Sequence, residues 1–218
     1  MGTREDMLTR IRAARADVPG AEAVGSAPIP RSYLHSRPSP EGDLARFCER
    51  VADYRAGVER VAPDQVAVAV GRALTGFGAR RVAFAEELPA NWRVDGVEVV
   101  RDTVDAPLDV AALQRVDAVV TGAAVGIAQT GTVVLDGRPT CGRRALTLVP
   151  DAHVCVIEAT DIVDDVPAAL ARLIPSRPLT WISGPSATSD IELKRVEGVH
   201  GPRRLHIVVV ETGRGRTG

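Results

Sequence analysis

The sequence is short of lysine, aromatic residues and cysteine. Lys194 is the only lysine among 27 basic residues, the rest being arginine, and aromatic residues make up 3% of the 218-residue chain. A lone lysine invites a Schiff-base reading. Lys194 sits in a charged run, however, where solvation leaves an ordinary pKa and a poor nucleophile. The three cysteines, Cys48, Cys141 and Cys155, are odd in number and widely spaced. They fit neither a secreted disulfide framework nor a metal or iron–sulfur spacing, so a reducing cytosol is the expected compartment. Charge of one sign is missing too: 27 basic against 28 acidic residues leave a net charge of −1. Such a chain has no overall field to gather nucleic acid or anionic lipid. No run approaches the ~18 apolar residues of a membrane span. The opening Met1 to Asp6 has no apolar signal-peptide core, and Asp6 stands where a myristoylation signal needs Ser or Thr. These absences predict a cytoplasmic protein that binds a small molecule or another protein, with no membrane span and no nucleic acid.

Familiar catalytic signatures are also missing. The chain has no Gly-x-Gly-x-x-Gly after a strand, no phosphate loop ending in Gly-Lys-Ser/Thr, no His-Glu-x-x-His and no Gly-x-Ser-x-Gly elbow. Dehydrogenase, nucleotidase, zinc-peptidase and hydrolase readings lose their usual support.

What is present is a chain 45% apolar, long enough to bury a sizeable core. Met7, Ile11 and Ala14 repeat at helical spacing within 5–16, and Pro19-Gly20 stops that helix. Four prolines and two glycines in 20–40 predict a loop. Leu44, Phe47, Cys48, Val51, Tyr54 and Val58 predict a helix over 43–60. A third helix is expected from Asp64 to Phe77, closed by Gly78. Beyond residue 80 short β-branched runs alternate with helical ones. Strands are expected at 81–84, 97–100, 118–121, 132–135, 154–157, 180–183 and 205–210, with a helical step at 123–129 and helices at 110–116 and 167–173, the last capped by Asp165. Unbroken apolar strands such as Ile207 to Val210 imply burial on both faces, and so a mostly parallel sheet flanked by helices.

Two stretches hold groups suited to chemistry. Thr130-Gly131-Thr132 follows a strand and a small-residue turn, so its hydroxyls and amides suit an anion, or else close a tight junction. Ser183-Gly184-Pro185-Ser186 follows another strand and leads through Thr188 to Asp190 and Glu192. Open α/β folds place binding crevices at such strand ends. Ser189 with Glu192 also fits the capping box of a structural helix starting at Asp190, which is the alternative reading. His200, between Gly198 and Gly201, suits an acid, base or donor, or a turn hydrogen bond; with Glu192 it is a weak catalytic candidate. Arg143 and Arg144 suit a carboxylate clamp or a solvated pair. Asp161, Asp164 and Asp165 suit a helix entrance rather than a metal, and His153 reads as a satisfied edge residue.

Ala128-Gln129-Thr130-Gly131-Thr132, Arg144-Ala145-Leu146-Thr147-Leu148-Val149-Pro150 with His153, Ser183-Gly184-Pro185-Ser186 with Thr188 and Asp190-Ile191-Glu192, and Gly198-Val199-His200-Gly201-Pro202 together resemble the lactate-utilization protein C family, the LUD domain. The likeness extends to the Leu8 to Arg12 and Phe47 to Val58 segments. It implies a three-layer α/β fold with a mostly parallel sheet, similar to sugar-phosphate isomerases and CoA transferases. A helical N-terminal extension and linker would take residues 1–60 and the LUD-type domain residues 61–218.

The resemblance also implies an accessory or substrate-binding subunit of a complex oxidising L-lactate to pyruvate, itself a non-redox subunit. It would carry no cofactor, with iron–sulfur clusters in a partner protein. The alternative is a stand-alone small-molecule enzyme of the isomerase, CoA-transferase or cyclo-ligase type, since one fold hosts many activities. A homo-oligomer is compatible with either. The expected crevice is lined by Thr130, Gly131, Thr132, Ser183, Gly184, Ser186, Thr188 and Asp190 and takes a small carboxylate or phosphate. Where the family commonly has Glu, this chain has Gln129, which hydrogen-bonds but cannot act as a carboxylate nucleophile.

Overall fold

A computed structural model describes residues 3–15, 42–188, 196–197 and 201–211. The chain divides into two compact units, Met1–Leu34 and His35–Gly218. The first contains helix α1, Thr3–Arg15. The loop expected over 20–40 and the capping-box helix expected from Asp190 lie outside the described residues.

In the second unit, α2 spans Leu44–Asp53 and is started by Asp43, whose carboxylate accepts from the Arg46 amide at 3.0 Å. The apolar spacing carries this helix to Arg60, but it ends seven residues earlier. Arg55 turns left-handed at φ 64°, its amide donates to Ala52 O and the Ala56 amide to Val51 O. This is the paired-bond stop that glycine usually makes. Residues 57–61 then form strand β1, Gly57–Val61, rather than two more helical turns. The expected domain boundary at residue 60 falls inside this strand.

A short turn over Pro63–Gln65 leads into α3, Val66–Phe77, closed by Gly78 at φ 67° as expected. There follow β2, Arg81–Phe84; β3, Glu98–Arg101; α4, Val110–Leu113; and β4, Ala118–Gly122. Strand β5, Val125–Ile127, replaces the helical step expected there, and β6 takes Thr132–Leu135. Then come β7, Ala152–Glu158; β8, Ile162–Val163; α5, Val166–Arg172; β9, Thr180–Ile182; β10, Ala187–Thr188; β11, Val196–Glu197; and β12, Arg204–Val210.

Six strands in the order β1-β12-β7-β4-β2-β3 make one sheet, and every neighbouring pair in it is parallel. A second sheet of four strands, β8-β5-β6-β9, stands apart, and β10 pairs with β11 in a small ladder. Alternation along the parallel strands sorts their side chains into two cores. Val154, Val156, Val208 and Val210 pack with Val66, Val70 and Leu74 of α3. Cys155, Ile157, Ile207 and Val209 pack with Phe47 and Val51 of α2 and with Ile127, Val133 and Val134 of the second sheet. The result is a three-layer α/β fold. Its parallel sheet has α3 on one face, and on the other a β layer that the sequence pattern did not announce, because β5 and β8 are only three and two residues long. Each fully buried Val, Leu or Ile contributes about 1.5–3 kcal/mol.

Loops are tied by ion pairs. Asp136, just after β6, accepts from Arg138 at 2.8 Å and from Arg177, ahead of β9, at 3.0 Å. Burial opposes its charge, but these arginines prevail and hold its pKa down to about 2. Among the described residues, no helix is long and apolar enough to cross a membrane.

Phe47 is completely buried. Phe47→Ala is therefore expected to cost about 3–5 kcal/mol, read as a lower denaturant midpoint at unchanged slope. Arg55→Gly, which relieves a left-handed Cβ, is expected to add roughly 1 kcal/mol. Native stability in Phe47→Ala would separate α2 from the core.

Candidate functional site

The antiparallel pairing of β6 with β9, Val133 opposite Ile182, brings the two hydroxyl stretches together. Thr130 Oγ1 lies 2.7 Å from Thr132 Oγ1, and Thr132 Oγ1 lies 2.7 Å from Ser183 Oγ. Three hydroxyls thus form a row ending at Ser183. Gly131 sits between the threonines at φ 60°, where a Cβ would stand 2.7 Å from the Arg50 carbonyl carbon, so glycine lets α2 lie against this turn. Gly184 turns the chain at φ 86° against Tyr54, and the Ser186 amide donates to Pro202 O at 2.9 Å, clasping two loops together.

Beside this row lies a cavity of about 330 Å3 lined by Arg144, Thr147, His153, Ile182, Ser183, Gly184, Ser186, Gly201, Pro202 and Leu205, among others. Ser183, Gly184 and Ser186 line it as expected. Thr130, Gly131 and Thr132 stand behind Ser183 and do not line it. Thr188 lies on β10 with its backbone opposite Val196. Asp190, Glu192 and His200 lie outside the described residues. Gln129 is exposed, tied by its amide to Asp164 O.

The cavity's place differs from the usual crevice of open α/β sheets. His153 stands at the start of β7 and Leu205 at the start of β12, with Thr147 and Gly201-Pro202 in the segments leading into them, so the cavity opens beside the amino ends of these parallel strands. The carboxyl ends of β2 and β3, next to the reversal of strand order between β2 and β4 where open α/β sheets usually bind ligands, hold a smaller cavity of about 280 Å3 that includes Glu86, Asp102 and Arg143. Its buried carboxylate, Asp102, is already matched. Asp102 accepts from Arg143 Nε at 2.8 Å and from the Leu108 amide at 2.8 Å. Arg143 is therefore a structural cation. Arg144, the next residue, lines the larger cavity and makes no ion pair among the described residues. One sequence pair takes two different roles.

His153 departs furthest from its expected part as a satisfied edge residue. It lies on β7, between Val119 of β4 and Leu205 of β12, with no exposed surface. Its Nε2 meets Thr121 Oγ1 at 2.8 Å, while its Nδ1 is buried with no hydrogen-bond partner. Burial lowers its pKa to about 4, so the ring is neutral at physiological pH.

Chemically, the cavity gathers groups suited to an anion: an arginine with no carboxylate partner among the described residues, hydroxyls, and a neutral imidazole. The cysteines are separate from it. Burial pushes Cys141 up to about 11 and Cys155 up to about 12. No group of three or more His, Cys, Asp or Glu side chains among the described residues could hold a metal. Asp165 caps α5 through the Ala168 amide at 3.0 Å, the helix-entrance role expected of these acids, whereas Asp164 pairs with Arg46 of α2. His206 meets Glu59 Oε1 at 3.0 Å on the edge strand, away from the cavity. Thr147 and Leu205 escaped notice as cavity residues because nothing local in their sequence distinguishes them from core. His153 offered one signal, an imidazole inside the apolar run Ala152 to Ile157.

A family model, LUD domain, matches residues 48–210. A lactate utilization protein C of Deinococcus radiodurans is 45% identical over 209 residues, spanning 94% of this chain and 94% of that protein. Another protein of that name, from Halalkalibacterium halodurans, is 28% identical and spans 81% of each. Among solved structures, a DUF162 family protein of Deinococcus radiodurans aligns with a TM-score of 0.65 at 43% identity, over 77% of this chain and 95% of that one.

Gly131→Ala is expected to destabilise by on the order of 2 kcal/mol or more, from its left-handed φ and the clash with α2. Thermal melts in which the variant matches the native chain would remove that packing account. A second outcome concerns pH. The unfolded chain takes up a proton at His153 near its ordinary 6.5, whereas the folded one resists until about 4. Stability is therefore fully present above 6.5 and falls by on the order of 3 kcal/mol as pH drops to 4. Asp136 acts lower, from 3.8 to about 2. His153→Leu is expected to flatten the upper window alone, as read by denaturation across pH; equal slopes in both proteins would contradict it.

Proposed function

The chain belongs to the LUD domain family, and on that premise we propose that it serves lactate utilization as a non-redox subunit that binds a small carboxylate. The acid is of the 2-hydroxy or 2-oxo class and sits in the cavity beside Arg144, Ser183 and His153. Oxidation of lactate to pyruvate and the accompanying electron transfer then belong to partner proteins, at least one carrying iron–sulfur clusters. Several observations support this division. Relatives spanning nearly the whole chain bear the lactate utilization name. The thiols Cys141 and Cys155 are buried with raised pKa values, which disfavours the thiolate that a cluster requires. The Ser183 hydroxyl is bonded to Thr132, and no carboxylate or imidazole among the described residues meets it, so a base-activated nucleophile is not assembled there.

The observation that carries the reading is Arg144 at the cavity, which makes no ion pair among the described residues. A guanidinium to which the described residues supply no carboxylate, next to hydroxyl donors, favours a carboxylate ligand through charge-assisted and bidentate hydrogen bonds. The cavity falls within the size range of small-molecule sites, roughly 300–1,000 Å3. With its partners the chain would act as the subunit that holds the acid while another moves its electrons.

The check is calorimetry of the full chain with lactate, pyruvate and inorganic phosphate, native against Arg144→Gln. A carboxylate is expected to bind, and Arg144→Gln to weaken it by about tenfold or more, equivalent to roughly 1.4 kcal/mol. Equal affinity in both proteins would remove Arg144 from the site. Turnover of lactate by the chain alone would replace the subunit reading with a stand-alone enzyme.

A further inference from the structure

Resting on the reading that this cavity takes a small carboxylate, we infer that His153 is its specificity-determining residue. The Nδ1–H donates a hydrogen bond to the oxygen on C2 of the bound acid and so selects acids that carry one. One buried nitrogen beside the cavity is left unbalanced. His153 is fully buried, lines the cavity beside Leu205, and has Nδ1 without a partner. A buried polar group left unmatched is unfavourable, and in folded proteins nearly all such groups find a partner. His153 lines this cavity, and its Nδ1 is a buried nitrogen for which the described protein residues supply no partner, so an atom of a ligand seated there is the natural complement.

The tautomer follows from the other ring nitrogen. Thr121 is wholly buried, and its hydroxyl hydrogen needs an acceptor. Two acceptors lie beside it, the Cys155 sulfur and the ring nitrogen Nε2 at 2.8 Å, and nitrogen is the stronger of the two. With Nε2 accepting, the single proton of the neutral imidazole sits on Nδ1, which becomes a donor. Thr121 is thus a positioning residue, setting both ring orientation and tautomer, and β4 and β7 hold the pair in register. A donor there matches an oxygen with free lone pairs. A 2-oxo oxygen satisfies it fully, a 2-hydroxyl also accepts, and a methylene leaves the N–H unmatched. Sites built to hydrogen-bond a substrate group reject analogues lacking it, because the buried partner is then orphaned. Arg144 would hold the carboxylate and His153 would read the adjacent carbon.

The probes are pyruvate and propionate, which differ in the C2 oxygen, titrated into the full native chain, His153→Asn and His153→Leu. Asparagine carries an amide N–H close to where the imidazole places Nδ1–H; leucine carries none. The native protein is expected to prefer pyruvate at least about tenfold, on the scale of one hydrogen bond to a buried group. His153→Asn should keep most of that preference, and His153→Leu should bind the two acids alike. A second readout needs no variant: the Nδ1–H resonance of His153 in the native chain should shift with pyruvate and stay put with propionate. If the preference is the same in all three proteins and the resonance is indifferent to both acids, the assignment of His153 fails while the carboxylate site stands. If neither acid binds the native chain, the carboxylate reading falls first and this inference with it.

Discussion

Placing β7 between β4 and β12 takes every side chain from Ala152 to Ile157 out of water, and most of the molecule follows from that burial. A strand covered on both faces must be apolar on both, which is why Val154 and Val156 serve the α3 core while Cys155 and Ile157 serve the core beneath the second sheet. One imidazole is admitted into this run. It is tolerated because the same lack of water that lowers its pKa keeps it uncharged, and because Thr121 satisfies one nitrogen. The other nitrogen is left to the cavity. A neutral, oriented, half-satisfied histidine is a consequence of the sheet rather than an addition to it.

The rest of the site is placed by close approaches. Gly131 lets α2 lie against the threonine turn, Gly184 lets the β9 exit pass Tyr54, and the amide of Ser186 holds the loop before β12. None of these contacts touches a ligand, yet together they decide where Ser183 and Arg144 stand. They also put the cavity at the amino ends of the parallel strands, because α2 and the second sheet cover that flank. The carboxyl-end crevice near the strand-order reversal is occupied by the matched pair of Asp102 and Arg143.

Much of this was legible in the sequence where local physics decides. Arg81–Phe84 and Thr132–Leu135 begin and end where β-branched runs predict, and Gly78 closes α3 as a left-handed cap should. Legibility failed where a rule was met by an unusual residue or by distance. The stop after Asp53 is made by Arg55 instead of glycine, so the apolar spacing runs on past the true end. The second sheet is built from strands too short to show a period of two. The convergence of Thr132 with Ser183 was foreseen from paired motifs, but the lining of the cavity by Thr147 and Leu205 depends on register between strands far apart in sequence. Arg143 and Arg144 look interchangeable in the chain. Only the buried Asp102 tells them apart.

The row of hydroxyls from Thr130 through Thr132 to Ser183 has a property that neither a carboxylate nor an amide in its place would have. Each hydroxyl can give or take a hydrogen bond, so both bonds of the row can run towards Ser183 or both away from it with no atom heavier than hydrogen moving. In one sense Ser183 offers the cavity a proton; in the other it offers a lone pair. A ketone and the corresponding alcohol ask for opposite polarity at the same point. The same rigid wall could therefore greet either member of a redox couple by reversing a line of three protons, leaving selectivity between the two to be set elsewhere in the pocket.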